Sequence, residues 1–80
     1  MIQRIEGKKV IGVKQTTKAI KNGEGKVIYI AKNADTNIIE SMDKLSKEHS
    51  IDIIYVETMK ELGRLCGIDV GAAAALVLKE

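Results

Sequence analysis

The stretch Lys26–Lys32, KVIYIAK, decides the fold. Its centre holds valine, isoleucine, tyrosine and alanine, and a lysine closes each end. A short run rich in β-branched residues and bounded by charge is typical of a buried strand. We therefore expect a central strand here and interpret the neighbouring segments outward from it.

Towards the N-terminus, the chain shows a second strand and a helix. The run KKVIGV (Lys8–Val13) is short, apolar and bounded by charge and glycine, which favours a strand. Val13, Thr16 or Thr17, and Ile20 then follow at helical spacing, and this pattern stops at NGEG. The residues before Lys8 are expected to be irregular or to form a short helix.

Towards the C-terminus, the same alternation continues. A helix is expected over ADTNIIESMDKLSKEHS, with Asp35 as its N-cap. A strand is expected over IDIIYVE, a helix over TMKELGRLCG and a strand over AAAALVL. Thr58 and Glu61 have the spacing of a capping box, and Gly67 suits the left-handed position that ends a helix.

The resulting order is β-α-β-α-β-α-β after the N-terminal segment. Strands that alternate with helices form a parallel or mixed sheet with helices on both faces. We expect an α/β fold, a three-layer α/β/α sandwich with a four-stranded mixed sheet. Eighty residues are enough for a single domain, spanning 1–80.

The composition argues against several functional classes. The start, MIQRIEGKK, is interrupted by charge and does not read as a signal peptide, and no apolar run approaches a membrane span. We expect a cytoplasmic protein that does not bind membranes.

The lone His49 and lone Cys66 cannot build a metal site, and no catalytic constellation is present. We expect no enzyme, no cofactor and no metal, with His49 at a helix end and Cys66 in the core.

The charge is distributed unevenly along the chain. Residues 1–32 carry eight cations and two anions, a net charge of +6, whereas residues 33–80 carry five cations and nine anions, a net charge of −4. The positive charge of residues 1–32 favours an anionic binding partner, and nucleic acid is the simplest one. A solvated charged surface is the alternative that charge alone leaves open.

The segment GVKQTTK (Gly12–Lys18) lies at the centre of this positive half. Lys14, Lys18 and Lys21 are spaced i, i+4 and i+7, so they share one face of the predicted helix. Gly12 would let a phosphate approach the helix N-terminus, where N–H groups lack partners. Gln15 and the two threonines add neutral donors and acceptors. A solvated lysine face is again the alternative.

The positions of the aromatic residues indicate which kind of nucleic acid this protein would bind. The chain has two, Tyr29 and Tyr55, and both lie in apolar strands, where we expect them to pack in the core. Proteins that read single strands stack bases on exposed aromatic rings. We therefore expect a folded RNA, recognised by its shape, its phosphates and a few base edges.

Two motifs resemble the kink-turn RNA-binding ribosomal protein family, the L7Ae/L30e group, and its short bacterial members of the YbxF type in particular. GVKQTTKAI is similar to the family signature G-x-N-E-x-T-K, with Lys-Gln in place of Asn-Glu. VETMKELGRLCGIDVGAAA is similar to the family stretch V-x-S-K-x-x-L-G-x-x-x-G followed by G-A-A. The resemblance covers nearly the whole chain.

The resemblance implies an α/β/α sandwich that binds kink-turns, which are RNA bends built on tandem sheared G·A pairs beside a short bulge. The first motif would enter the groove at those pairs, and the segment before the KELG helix would cover the bulged nucleotides. The RNA-binding residues implied by the resemblance, together with Lys21 from the lysine face, are Gly12, Lys14, Gln15, Thr17, Lys18, Lys21, Val56, Glu57, Thr58 and Met59.

The expected partner is therefore a structured RNA with a kink-turn, ribosomal or riboswitch-like, and the ribosome itself is a further candidate. We expect a monomer. The change from Asn-Glu to Lys-Gln leaves a second interpretation open, a protein–protein interaction module of the same fold with little specific RNA affinity.

Overall fold

The computed structural model describes Ile5 and residues 7–79, and the segment predicted as irregular or a short N-terminal helix lies mostly outside this range. Within it, strands and helices alternate in the predicted order. The elements are β1 (Lys9–Ile11), α1 (Val13–Lys21), β2 (Gly25–Ala31), α2 (Thr36–Glu48), β3 (Asp52–Val56), α3 (Met59–Cys66) and β4 (Ala74–Leu78).

The strands form one four-stranded sheet in the order β1-β4-β2-β3. Strands β2 and β3 are parallel, while β4 lies between β1 and β2 and runs antiparallel to both. The sheet is therefore mixed, and the predicted architecture is confirmed.

Helices cover both faces of the sheet, so the molecule has two apolar cores. Ile28 and Ile30 of β2 point towards α1 and α2 and are fully buried with Ile20 and Met42. Ala31 belongs to the opposite face, where it packs in a cluster with residues of α3, including Leu62. The alternation of side chains along β2 thus supplies both cores from one strand.

The predicted helix ends are present. The Asp35 carboxylate accepts a hydrogen bond from the Asn37 N–H at 2.8 Å at the start of α2. The Thr58 hydroxyl oxygen accepts one from the Glu61 N–H at 3.0 Å at the start of α3. Gly67 ends α3 with φ 78° and ψ 27°, in the left-handed region. These caps fix where α2 and α3 begin and where α3 ends.

The prediction that both tyrosines pack in the core is wrong for Tyr55. Tyr29 packs against the core beside α3, but Tyr55 is 41% exposed, because β3 lies at the edge of the sheet. The Tyr55 hydroxyl donates to the Asp43 carboxylate at 2.6 Å, and Lys47 forms an ion pair with that carboxylate at 2.8 Å. The bond to Asp43 raises the pKa of Tyr55, while the bonds from Lys47 and then Tyr55 lower the pKa of Asp43. Polar contacts with α2, not core packing, hold this ring.

Gly63 determines how closely the segment between α3 and β4 can approach α3. It is buried in the middle of the helix, and a Cβ at this position would collide with the carbonyl oxygen of Val70. Gly71 packs less tightly on Met59, where a Cβ would meet the Met59 Cβ at 3.2 Å. Residues 67–73 therefore pack directly on α3 through glycine contacts.

We predict that Gly63→Ala destabilises the protein, although alanine favours helix by up to about 1 kcal/mol over glycine. The added methyl group must displace backbone atoms, so we expect the free energy of unfolding to fall by about 2 kcal/mol. Urea denaturation measures the change. Ser41→Ala, on the exposed face of α2, is the control and should change the free energy of unfolding by less than about 0.5 kcal/mol. A stabilised Gly63→Ala protein would show that the contact is loose.

Candidate nucleic-acid interface

The sheet topology brings four segments to one edge. The carboxyl ends of β1, β2 and β3 lie together with the amino end of β4, because β4 runs opposite to its two neighbours. We call this the loop edge. It consists of Gly12, residues 32–35, residues 57–58 and residues 67–73.

Backbone hydrogen bonds continue across the loop edge beyond the regular sheet. The Gly12 N–H donates to the Ala74 carbonyl at 2.9 Å, and the Ala31 N–H donates to the Ala73 carbonyl at 2.9 Å. The Lys32 N–H donates to the Val56 carbonyl at 2.8 Å. The start of α1 and the ends of the two parallel strands are thus held in one hydrogen-bonded framework.

Asn33 and Met59 extend this framework to α3. The Asn33 side-chain oxygen accepts a hydrogen bond from the Met59 N–H at 2.8 Å. The Met59 carbonyl in turn accepts one from the Ala72 N–H at 2.9 Å. The first residue of α3 is therefore tied both to the segment after β2 and to the segment before β4.

Helix α1 begins at the loop edge without a side-chain cap. Gly12 stands at the N-cap with φ 102° and ψ 151°, a backbone conformation that is essentially restricted to glycine. A Cβ at this position would meet no atom within 4 Å, so no other part of the described chain packs against that side of Gly12. The first-turn N–H groups have no acceptor within the helix, and no acidic residue lies in that turn. The positive end of the helix dipole therefore has neither a side-chain cap nor an acidic neighbour in its first turn, and we call it the open N-terminus of α1.

The polar side chains of α1 extend away from this end. Lys14, Gln15, Lys18 and Lys21 are exposed. Lys21 lies in the last turn, about 12 Å along the helix axis from the first residue. The three lysines therefore run from the loop edge along the helix. Gln15 lies in the first turn, where it lines a pocket with Leu78 of β4.

Thr17 faces the neighbouring helix. Its side chain is half-buried, and its hydroxyl donates to the sulfur of Met42 in α2 at 3.9 Å. Thr17 thus lies where α1 packs on α2, one turn from the open N-terminus.

The segment Val56–Met59, for which the resemblance implies contact with bulged nucleotides, includes residues 57–58 of the loop edge, and its members differ in accessibility. Val56 is buried, and Met59 is half-buried against Gly71. The Thr58 hydroxyl serves as the α3 cap. Glu57 is the exposed member, and its carboxylate forms an ion pair with Lys32 at 3.0 Å.

Three residues at the loop edge were missed by the sequence analysis: Lys32, Asn33 and Val70. Val70 is 70% exposed, the largest exposure among the large apolar side chains of the described residues. It lies between Gly67 and Gly71, together with the apolar Ile68, and the sequence does not show which of the two apolar side chains is exposed. No local pattern marks Lys32 or Asn33, because their contacts join distant parts of the chain.

The two residues with reactive side chains, Cys66 and His49, are not part of the loop edge. Cys66 is buried in the core beside α3, as predicted, and burial raises the pKa of its thiol. His49 is exposed and occupies the C-cap of α2, as predicted. Among the described residues, no group of three or more His, Cys, Asp or Glu side chains could hold a metal ion. None of the helices within 7–79 is long and apolar enough to cross a membrane.

The chain belongs to the ribosomal protein L7Ae/L30e/S12e/Gadd45 family, whose model matches residues 3–80. An RNA-binding protein of Caldanaerobacter subterraneus is 47% identical over 75 residues, which cover 94% of this chain and 92% of that protein. RNA-binding protein YbxF of Geobacillus stearothermophilus is 44% identical over 73 residues, which cover 91% of this chain and 89% of that protein. The family predicted from the two motifs is confirmed.

A solved structure of the Giardia lamblia 15.5kD RNA binding protein has the same fold. It aligns with a TM-score of 0.83 at 20% identity and covers 90% of this chain. This chain spans 61% of that one. At this level of identity the likeness concerns the fold.

We predict that Asn33 fixes the start of α3 through its side-chain oxygen. Asn33→Ala removes the acceptor for the Met59 N–H, so the free energy of unfolding should fall by about 1 kcal/mol. Hydrogen exchange of the Met59 amide should also become faster.

Asn33→Asp is the matched variant, because a carboxylate oxygen can accept the same hydrogen bond. It should keep the Met59 amide as protected as in the parent protein. Equal exchange rates in Asn33→Ala and the parent protein would contradict this role.

Proposed function

We propose that this protein is a non-enzymatic RNA-binding protein that recognises a kink-turn at its loop edge and stabilises the bent RNA. The observation that carries the proposal is the open N-terminus of α1, with Lys14 and Gln15 beside it. Relatives of nearly the same length are named RNA-binding proteins, which favours RNA over a protein partner.

The chemistry of α1 suits the edges of G·A pairs and the phosphates beside them. The Lys14 ammonium donates only, which matches the O6 and N7 acceptors of guanine. The Gln15 amide can accept through its oxygen and donate through its nitrogen. The first-turn N–H groups and the helix dipole favour a phosphate at the open end of the helix.

Gln15 stands where the family signature has glutamate. A neutral amide oxygen is a weaker acceptor than a carboxylate, and the loss could amount to about 1–2 kcal/mol. Lys14 in place of asparagine adds a positive charge at the same step. This chain would therefore depend on charge attraction more than a member with Asn-Glu does.

The other side of the loop edge would hold the bulged nucleotides. Val70 offers an exposed apolar surface, and the buried Val56 and half-buried Met59 support the framework behind it. A surface held by hydrogen bonds to α1, β2 and α3 is preorganised, so it can favour the bent RNA by binding it more tightly than the open form.

Lys18 and Lys21 would contact phosphates outside the G·A pairs, since they lie further along α1. We further propose that the RNA is ribosomal or riboswitch-like, that the protein acts as a monomer, and that it works in the cytoplasm with the ribosome as one possible location of its target.

The proposal is tested by binding to two RNAs in a gel-shift titration at fixed salt. One RNA contains a kink-turn, and the other has its G·A pairs replaced by Watson–Crick pairs. We expect at least tenfold tighter binding to the kink-turn, which corresponds to about 1.4 kcal/mol. Equal affinity for the two RNAs would leave charge attraction alone and would contradict the proposal.

We predict that the α1 residues separate into two roles. Lys14→Ala and Gln15→Ala should each reduce the ratio of affinities for the two RNAs, because each removes a contact to base edges. Lys21→Ala should weaken binding to both RNAs by a similar factor and reduce the salt slope by about one, as expected for one lost phosphate contact.

The same gel-shift titrations, repeated over a range of salt concentrations, measure both quantities. Ser41→Ala on α2 is the control and should change neither. If the three α1 substitutions change the affinity ratio and the salt slope alike, the division of roles is wrong.

A further inference from the structure

Lys32 and Glu57 form an ion pair at the loop edge. Lys32 follows β2 and Glu57 follows β3, so the two residues extend a pair of neighbouring parallel strands. The Lys32 N–H donates to the Val56 carbonyl at 2.8 Å, which keeps the two chain segments side by side. The Lys32 Nζ then lies 3.0 Å from a carboxylate oxygen of Glu57.

The pair is accessible to solvent and therefore to other ions. The side chain of Lys32 is 53% exposed and that of Glu57 is 74% exposed. Exposed pairs of this kind contribute little to stability, because water and salt compete with them. Neither side chain is needed to close the core, so the ion pair can open without disturbing the fold.

The Glu57 carboxylate and an RNA phosphate are alternative partners for the Lys32 ammonium. Both are anionic oxygen acceptors for an ammonium group, and they bind it with similar geometry. Lys32 is separated from Gly12 by the width of β4, which places it roughly 10 Å from the open end of α1. An RNA backbone seated on α1 would carry several phosphates within that distance.

We propose that Lys32 is a phosphate-binding residue and that Glu57 acts as its internal competitor in the free protein. When RNA binds, a backbone phosphate replaces the carboxylate at the Lys32 ammonium, and Glu57 turns to solvent. Every RNA that reaches Lys32 must displace the carboxylate, so Glu57 lowers the affinity. The inference rests on the proposed function, because it assumes that RNA binds at the loop edge.

The test is a double-mutant cycle with Lys32→Gln, Glu57→Gln and the double variant. Fluorescence anisotropy measures the dissociation constant for the kink-turn RNA at several salt concentrations. Glu57→Gln should tighten binding about two- to fivefold. Lys32→Gln should weaken binding by a similar factor and reduce the salt slope by about one. The double variant should bind like Lys32→Gln, because the competitor has no effect once its partner is gone.

Asp43→Asn is the matched control. It removes the anion of the other ion pair, with Lys47 on α2, and changes the net charge by the same amount. Its affinity should equal that of the parent protein. If Asp43→Asn tightens binding as much as Glu57→Gln does, net charge is the cause and the proposal is wrong.

Two other results would overturn the proposal. If Glu57 only repels RNA, Glu57→Gln would tighten binding at least as strongly in the Lys32→Gln background as in the parent. If the ion pair stabilises the conformation of the loop edge that binds RNA, Glu57→Gln would weaken RNA binding. Discrimination between the kink-turn and the Watson–Crick RNA by the parent protein tests the proposed function separately, and it can hold even where this cycle shows no coupling.

Discussion

The insertion of β4 between β1 and β2 is the constraint on which the rest of the structure depends. Because β4 runs opposite to both neighbours, its first residues meet the last residues of β1 and β2 at one edge. Ala73 and Ala74 supply the carbonyl groups that receive the N–H groups of Ala31 and Gly12. Small side chains at the start of β4 let the flanking segments come together there. These two hydrogen bonds link the start of α1 to the end of β2 through β4.

The loop edge combines a rigid backbone with accessible side chains. Its framework consists of backbone hydrogen bonds and of the Asn33 contact to Met59, which leave Lys14, Gln15, Lys32 and Val70 exposed. In such an arrangement, folding stability and RNA binding depend on different residues, since the exposed side chains can change without disturbing either core.

The fold could be predicted from the sequence because its signals are local. The β-branched run in KVIYIAK indicates a buried strand, and Asp35, Thr58 and Gly67 fix helix ends through contacts with near neighbours. The exposure of Tyr55 could not be predicted in this way. An apolar strand sequence does not reveal whether the strand is central or at an edge, and β3 lies at the edge.

Only those residues of the candidate site that lie within a sequence motif could be predicted. Gly12, Lys14 and Gln15 lie together in the sequence, whereas Asn33 and Lys32 acquire their roles from partners 26 and 25 residues away. Thr17 belongs to the same motif as Lys14, yet helix packing turns its hydroxyl towards Met42. The spacing of residues along a helix predicts which of them share a face. Whether that face is exposed to solvent depends on how the neighbouring helix packs against it.

The central claim is that RNA binds at the loop edge, and amide chemical-shift mapping on titration with a kink-turn RNA tests it most directly. The account predicts that the largest shifts occur at Gly12, Lys14, Lys32, Glu57 and Val70. Amides at the opposite edge, such as Gly23 and Ser50, should shift little. Largest shifts along the exposed edge of β3 or at the opposite edge of the sheet would contradict the account.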